Sequence, residues 1–596
     1  ESAHITIDPE NNDIVYGGSY DGFLTRYNHK TKTTRSVSVW PDNPMGHGAE
    51  DMKYRFQWNF PLFFSKHNTK KLYTFSNHVH VSINEGESWD VLSPDLTRND
   101  STKLKSSGGP ITQDNTSVEY YCTIFAAAES PIKEGLLWTG SDDGLIHISR
   151  NDGNTWENVT PKDMPEWMMI NSIEPSVYNE GTCYVAGTKY KTGDFEPYLY
   201  KTIDYGKSWK KITNGIANEH FTRVLREDPV KEGFLYAGTE TGIYFSNNEG
   251  IYWQPLQLNL PIVPITDLAV KNNNLIVATQ GRSLWVLDDL SLLHQALDVD
   301  KEENILFKPK ETYRMGGSSN DKSLTTGTNH PSGVITYFYV KNPEEKEIKL
   351  TYLNSKNDTI KTVSTKNKKD NFNVKKGSNY YVWNTRGNSA EMFDGMIFWW
   401  ASLNAPKAVP GDYKVVLSVE DKIYTQSLDI ISNPNSETDV TGMQKQFDFI
   451  TNINQTVDNA HKSIKKIRAI NKQLTTFQEQ YKHDERVDEL KEKAKNLSEE
   501  FSKIEKALYQ TQNKSGQDPL NFPIKLTNKL AHLNSLVGMG DFPPTEQDIA
   551  VKDELTQKIN LQLEKFNMLV SNQIKAFNAE FNSLNLNYLF TEGNTN

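Results

Sequence analysis

The sequence predicts a mainly β, multidomain fold: a β-propeller over residues 1–290, a β-sandwich over 303–433 and an α-helical bundle over 437–596. Three observations carry this. An eight-residue turn phrase ending in Trp recurs four times in the first half, alternating apolar strands follow it, and the apolar spacing then changes to three and four.

The four phrases run from Ser82 to Trp89, Ser149 to Trp156, Thr202 to Trp209 and Ser246 to Trp253. In each, Asn84, Asn151, Asp204 or Asn248 can bond its own backbone in an Asx-type turn, and Gly86, Gly153, Gly206 or Gly250 can take positive φ. Trp89, Trp156, Trp209 and Trp253 are then expected to pack beneath their own hairpins. These residues read as structural staples.

Upstream of the turns stands a second phrase, two apolar residues, a small residue and Gly. It reads Val15 to Ser19, Leu137 to Ser141 and Leu235 to Thr239, with weaker copies at Leu72, Tyr184 and Ile276. About six units result, spaced roughly 45 to 65 residues apart, as four-stranded blades require.

The turn phrase matches the Asp-box, or BNR repeat, and the surrounding sequence resembles the sortilin-like propeller family of bacterial proteins often labelled glycosyl hydrolase. The resemblance also rests on Tyr54 to Asn59, Ser93 to Asp100, Gly108 to Thr116, Gly238 to Gly242 and Thr279 to Ser283. It implies an exported protein of the bacterial envelope, of which this chain is the C-terminal part, with further blades ahead of Glu1 in a larger or double propeller. The chain lacks the cysteine-rich module that follows the propeller in animal sortilins.

Asp288 to Leu290 and the charged run Asp298 to Glu303 mark the end of the propeller. Val334 to Val340, Ile348 to Leu353 and Tyr413 to Val419 alternate as strands, and the turn Val409 to Asp412 leads into the last of them, a pattern of immunoglobulin-like sandwiches. The aromatic run Met392 to Trp400 is expected in the sandwich core or at a seam with the propeller. Ile450, Ile453, Val457, Ala460, Ile464, Ile467 and Leu474 form one helical stripe, and Val487 to Leu508 carries another. Pro523 opens a further helical run, and Thr545 with Asp548 caps a last one reaching about Phe581.

A net charge of −11 argues against nucleic acid, which needs a basic face. No run approaches the roughly 18 apolar residues of a membrane helix. Cys122 and Cys183 sit in apolar strands and read as buried thiols, with a disulfide as the alternative. His78 and His80 share a strand face and read as a surface pair, His47 as a loop histidine. No cofactor motif is present, and a metal is left open.

Propeller funnels collect loops from every blade, and a residue serving only the blade should recur in each one. The non-repeating candidates for binding are Arg55, Gln57, Trp58, Arg98, Asp114, Asn115, Glu119, Tyr120, Trp167, Glu240 and Arg282. A sialidase would need three arginines, a Tyr and Glu pair and an acid, and other glycosidases two facing carboxylates. Arg55, Arg98, Arg223, Arg282, Glu119, Tyr120, Tyr121 and Glu240 supply the types without fixed positions. The expected function is noncatalytic: an exported, cell-surface, outer-membrane-associated or secreted propeller that binds a protein or peptide, as an accessory subunit of an outer-membrane assembly. The alternative is a secreted glycoside hydrolase, sialidase-like or xyloglucanase-like, or a glycan-binding module.

Overall fold

The computed structural model describes residues 4–118, 120–297, 303–315, 329–344, 346–370 and 372–586. It divides into two compact units, 1–294 and 295–596. Of the charged run 298–303, only Glu303 is among the described residues.

Six consecutive antiparallel sheets build the first unit, over residues 5–36, 62–91, 124–158, 169–211, 222–255 and 265–287. Among the described residues the first five have four strands and the sixth three. Each is an up-and-down blade, and the blades surround one cavity whose wall takes residues from blades one and three to six and from the segment leading into blade two. The chain is thus a six-bladed β-propeller over this unit. Each strand pair carries an apolar face, so neighbouring blades bury one cluster after another, such as Trp138 with Met168, Ile170 and Val185.

The recurrent turns explain how the blades are held in series. In each, the opening hydroxyl accepts from the glycine N–H: Ser82 from Gly86 at 2.9 Å, Ser149 from Gly153 at 2.9 Å, Thr202 from Gly206 at 2.9 Å and Ser246 from Gly250 at 3.0 Å. The Asn or Asp oxygen accepts the N–H four residues on, at 2.9–3.0 Å in all four turns. The Trp does not stop beneath its own hairpin, as the sequence reading places it. Its indole N–H reaches the preceding blade: Trp89 donates to Val37 O at 2.9 Å, Trp156 to Leu92 O at 3.0 Å, Trp209 to Val159 O at 2.7 Å and Trp253 to Ile212 O at 2.7 Å. These four acceptors all follow the outermost strand of the blade before.

The same four acceptor residues crowd the turn glycines. At Gly250, φ is +81° and an added Cβ would lie 2.7 Å from Ile212 Cδ1. The glycine therefore supplies both a left-handed turn and room for the neighbouring blade. Gly238 does comparable work further in, since a Cβ there would meet Ile265 of the next blade at 2.7 Å.

The short helix α1 (Ser291–Ala296) ends the first unit. Its His294 Nε2 lies 2.6 Å from Asp228 Oδ2, which also accepts the Tyr236 hydroxyl at 2.8 Å. These contacts hold the Asp228 carboxyl below its usual range against the opposing effect of burial.

In the second unit a three-stranded and a five-stranded sheet share one core. Val334, Phe338 and Trp383 enter it from one sheet, and Leu350, Tyr352, Val415 and Leu417 from the other. The helices that follow are α2 (Val440–Gln480), α3 (Asp488–Leu508), α4 (Leu526–Val537) and α5 (Glu546–Met568). The α5 run continues through a π-spaced turn, Leu569–Ile574, to Ser583. Ile453, Val457, Ile464, Leu490, Leu497, Phe501 and Ile559 share the helical core. Thr545 Oγ1 accepts from Asp548 N at 3.1 Å while Asp548 Oδ2 accepts from Thr545 N at 2.8 Å, a reciprocal cap.

The aromatic run 392–400 lies outside the sandwich core. Phe393 joins the helical core, the Tyr509 hydroxyl accepts from Ile397 N at 2.8 Å, and the Asn528 side chain both accepts from Trp399 N and donates to its carbonyl, each at 2.9 Å. An irregular insertion between strands needs partners for its backbone, and the helices supply them. Arg314, almost fully buried, donates to Ala408 O and Gln446 and is ion-paired with Asp541, tying the sheet edge to α2 and the turn before α5.

The turn geometry sets a stability test. Trp253→Phe should cost about 1–2 kcal/mol by leaving the Ile212 carbonyl unpaired. Gly250→Ala should cost at least about 1–2 kcal/mol from backbone strain alone, with the Ile212 clash in addition. Urea unfolding of the full chain measures both, and Gly250→Ala should be the more damaging.

Candidate functional site

The inner ends of the blades enclose a cavity of about 920 Å3, comparable in size to small-ligand pockets of about 300–1,000 Å3. The first blade contributes His4 and Ile5, the approach to the second Gln57, Trp58 and Asn59, and the third Tyr120, Tyr121 and Phe125. The fourth adds Asn171, Ser172, Tyr190 and Lys191, the fifth Arg223 and Arg226, and the sixth Thr266 and Asp267.

Four of these residues occupy one equivalent position. The innermost strands of blades three to six each carry a register shift near their start, between Ile124 and Ala126, Ile170 and Ser172, Thr222 and Val224, and Ile265 and Asp267. The residues left without a ladder partner are Phe125, Asn171, Arg223 and Thr266, and all four line the cavity. A bulge frees one residue from pairing and re-aims its side chain. Here it does so in four successive blades, producing a row of apolar, amide, cationic and hydroxyl groups on one scaffold.

The neighbours of that row hold it in place. Glu240 Oε2 accepts from Arg223 Nε at 2.8 Å and Nη2 at 2.7 Å. Arg226 donates to Ser172 Oγ at 2.7 Å in blade four, and to Leu268 O at 2.9 Å and Asp267 Oδ1 at 2.7 Å in blade six. Among the described lining residues Asp267 is the one carboxylate, and it is spent on Arg226.

The sequence candidates divide by location. Gln57, Trp58 and Tyr120 lie on the wall. Gln57 Nε2 donates to Tyr120 O at 3.1 Å and Asp142 Oδ2 at 3.3 Å. Trp167 stacks behind Tyr121 at 6.2 Å, and the Arg98 guanidinium lies 4.7 Å over the Trp167 ring while donating to Asp143 O at 2.8 Å. Glu240 stands behind Arg223. Arg55 is buried and bonded to Asp95, Thr97 and Cys122 O, so its guanidinium joins segments rather than facing the cavity. Asn115 ties its loop to Gly46 and Ser107, and Asp114 N bonds Ser107 O. Arg282 is exposed and donates to Gly281 O at 2.8 Å. Glu119 lies outside the described residues.

Buried polar groups behind the wall show shifted acidity. Asp142 accepts from Thr123 N at 2.9 Å and Thr123 Oγ1 at 2.7 Å, yet burial pushes its carboxyl up to about 7. His80 is fully buried rather than a surface residue, bonded to Ser76 Oγ at 2.8 Å, and burial lowers it to about 3. Its ring packs against Tyr54 and Phe56, which excludes the water that a surface histidine would keep. Cys122 and Cys183 are both buried and unbridged. Among the described residues no group of three His, Cys, Asp or Glu side chains could hold a metal, and no helix is long and apolar enough to cross a membrane.

No family model and no curated protein matches the sequence. Among solved structures, the GH74 xyloglucanase from Xanthomonas campestris is 14% identical over 56% of this chain and 50% of its own, with a TM-score of 0.35. The chain thus spans about half the length of that enzyme. The GH74 enzyme of Niastella koreensis is 14% identical over 71% and 64% of the two chains, TM-score 0.34. YCF48 bound to D1 peptide is 13% identical over 48% and 77%, TM-score 0.31. Similarity this low carries no functional weight, and the blade assignment rests on the sheet pairings above.

Asp142 sets a pH test. Its folded value lies above the unfolded one, so the group's favourable contribution to stability is complete below the unfolded value, near 4, and is lost as pH rises towards about 7. Asp142→Asn removes this dependence. Relative to the parent, the variant's urea midpoint should improve steadily from pH 4.5 to pH 7.5; a constant difference would contradict the assignment.

Proposed function

We propose that this chain is a noncatalytic recognition protein whose propeller cavity takes an extended peptide segment of a protein partner. The observation that carries the reading is the row of bulged residues Phe125, Asn171, Arg223 and Thr266 facing one cavity of about 920 Å3. Peptide recognition needs apolar contact, amide partners and a charge at separate points along a rigid surface. These four residues, with Trp58 and Tyr190 beside them, supply that assortment.

The resemblance to sortilin-like, BNR-repeat propellers supports the same reading and extends it. On this proposal the protein is exported, resides at the cell surface or outer membrane, and serves as an accessory subunit of an envelope assembly. Its parts are the propeller over 1–290, an immunoglobulin-like sandwich over 303–433 and a helical bundle over 437–596.

The competing reading, a glycoside hydrolase or glycan-binding module, draws on the aromatic wall, where Trp58, Tyr121 and Tyr190 could stack sugar rings. Hydrolysis would also require two carboxylates across the cleft, and the carboxylate on the described wall is bonded to Arg226.

A quantitative pull-down from native membranes compares the tagged full chain with an Asn171→Ala, Thr266→Ala variant, both residues being outside the blade ladders. The expected result is a stoichiometric envelope protein lost at least about fivefold in the variant, equivalent to about 1 kcal/mol. Recovery of the protein alone, together with sugar release from xyloglucan or sialosides, would overturn the peptide reading.

A further inference from the structure

Apart from the main cavity, the first unit contains a narrow pocket of about 40 Å3. It lies between the turn after the second strand of blade one, the segment preceding blade two and the segment preceding blade three. Its wall includes Asp21, Trp40, Asp51, Lys53, Tyr54 and Tyr120. The rings of Trp40 and Tyr54 stand edge to face at 6.3 Å. The Lys53 ammonium sits over both, 3.4 Å from the Trp40 centroid and 5.2 Å from that of Tyr54.

Tyr120 Oη is buried without a hydrogen-bond partner, and Asp21, whose carboxyl is held by the Ser117 side chain, has a buried oxygen, Oδ1, likewise without one. Tyr120 is 7% exposed. Burial, reinforced by the charges of Asp21 and Asp51 in the same wall, pushes its phenol up to about 12. Asp51 is shared with His47 Nδ1 at 3.3 Å. A buried hydroxyl and carboxylate oxygen left open cost free energy unless a ligand or water satisfies them.

We propose that this pocket binds the primary ammonium of a lysine side chain presented by a partner. An ammonium carries three donors and no acceptor, which the Asp21 carboxylate, the Tyr120 hydroxyl and the Asp51 carboxylate match. The aromatic faces add cation–π attraction, as the position of Lys53 already shows. A space of about 40 Å3 is large enough for a small polar head group such as an ammonium. Lys53 is exposed and acts as the resident competitor, covering the aromatic wall until the incoming ammonium displaces it. The pocket shares Tyr120 with the wall of the large cavity, but the proposal does not rest on the peptide reading given to that cavity.

The test is proton NMR of Nα-acetyl-lysine N-methylamide titrated with the full chain, beside Nα-acetyl-norleucine N-methylamide and potassium chloride. The lysine probe should show a saturable upfield ring-current shift at its ε-methylene, with a dissociation constant on the order of millimolar. Lys53→Met, at an exposed position, should tighten binding about fivefold by removing the competing charge. Asp21→Asn should weaken it about tenfold, with circular dichroism checking its fold. Equal shifts for the norleucine probe, no ε-methylene shift, or affinity unchanged in Lys53→Met would overturn the proposal. Displacement by potassium at stoichiometric occupancy would instead assign the pocket to an inorganic cation and overturn it as well.

Discussion

The first unit depends on indole N–H groups that leave their own blade. Each of Trp89, Trp156, Trp209 and Trp253 crosses to a backbone carbonyl at the outer edge of the preceding sheet. Apolar burial between blades is strong but non-directional, and would tolerate sliding. A hydrogen bond to one carbonyl does not. The turn glycine then requires that the same neighbouring residue sit against it, so each junction is fixed by a donor and by a steric limit at one point. Setting the outer rim in this way also sets the angle at which the inner strands converge.

The inner strands use the opposite device. Their bulges release a residue from the ladder at a repeated position, so Phe125, Asn171, Arg223 and Thr266 can differ in chemistry without disturbing sheet register. Arg226 and Glu240 then supply rigidity from behind, one bridging three blades and the other holding Arg223. A repeated frame outside and a varied row inside are how this scaffold separates stability from recognition.

Much of the frame could be read from the amino acids because its requirements are local. A turn that needs positive φ shows itself as Gly, and a helical face shows itself by period, so Gly250, the cap at Thr545 and the stripe from Ile450 to Leu474 were all legible. The direction of the Trp side chains was not, since nothing in an eight-residue phrase says which carbonyl the indole will meet. Among the binding candidates the cavity wall was legible at Gln57, Trp58 and Tyr120, while Tyr121 and Arg223, also on the wall, were named only as residue types that a sialidase would need. The bulged position itself escaped because a bulge is an event between two strands, visible in one strand only as a slight break in alternation around Asn171, Arg223 and Thr266. Arg55 misled for a related reason: an arginine outside the repeat can serve to join two segments, as it does with Asp95 and Thr97.

The indole contacts join blade two to one, three to two, four to three and five to four. Trp285 of the sixth blade turns instead to Arg282 O within its own hairpin, and on the first strand Ile5 and Ile7 are 72% and 53% exposed. Fastening is therefore uneven around the ring: four junctions carry an indole contact, the fifth-to-sixth junction is held instead by Arg226, which donates to Leu268 O and Asp267 Oδ1, and the sixth-to-first junction has neither among the described residues. Mechanically, this makes the propeller a clasp with one compliant sector. A load applied to the chain would open the sixth-to-first junction first, widening the cavity mouth while blades one to six keep their spacing.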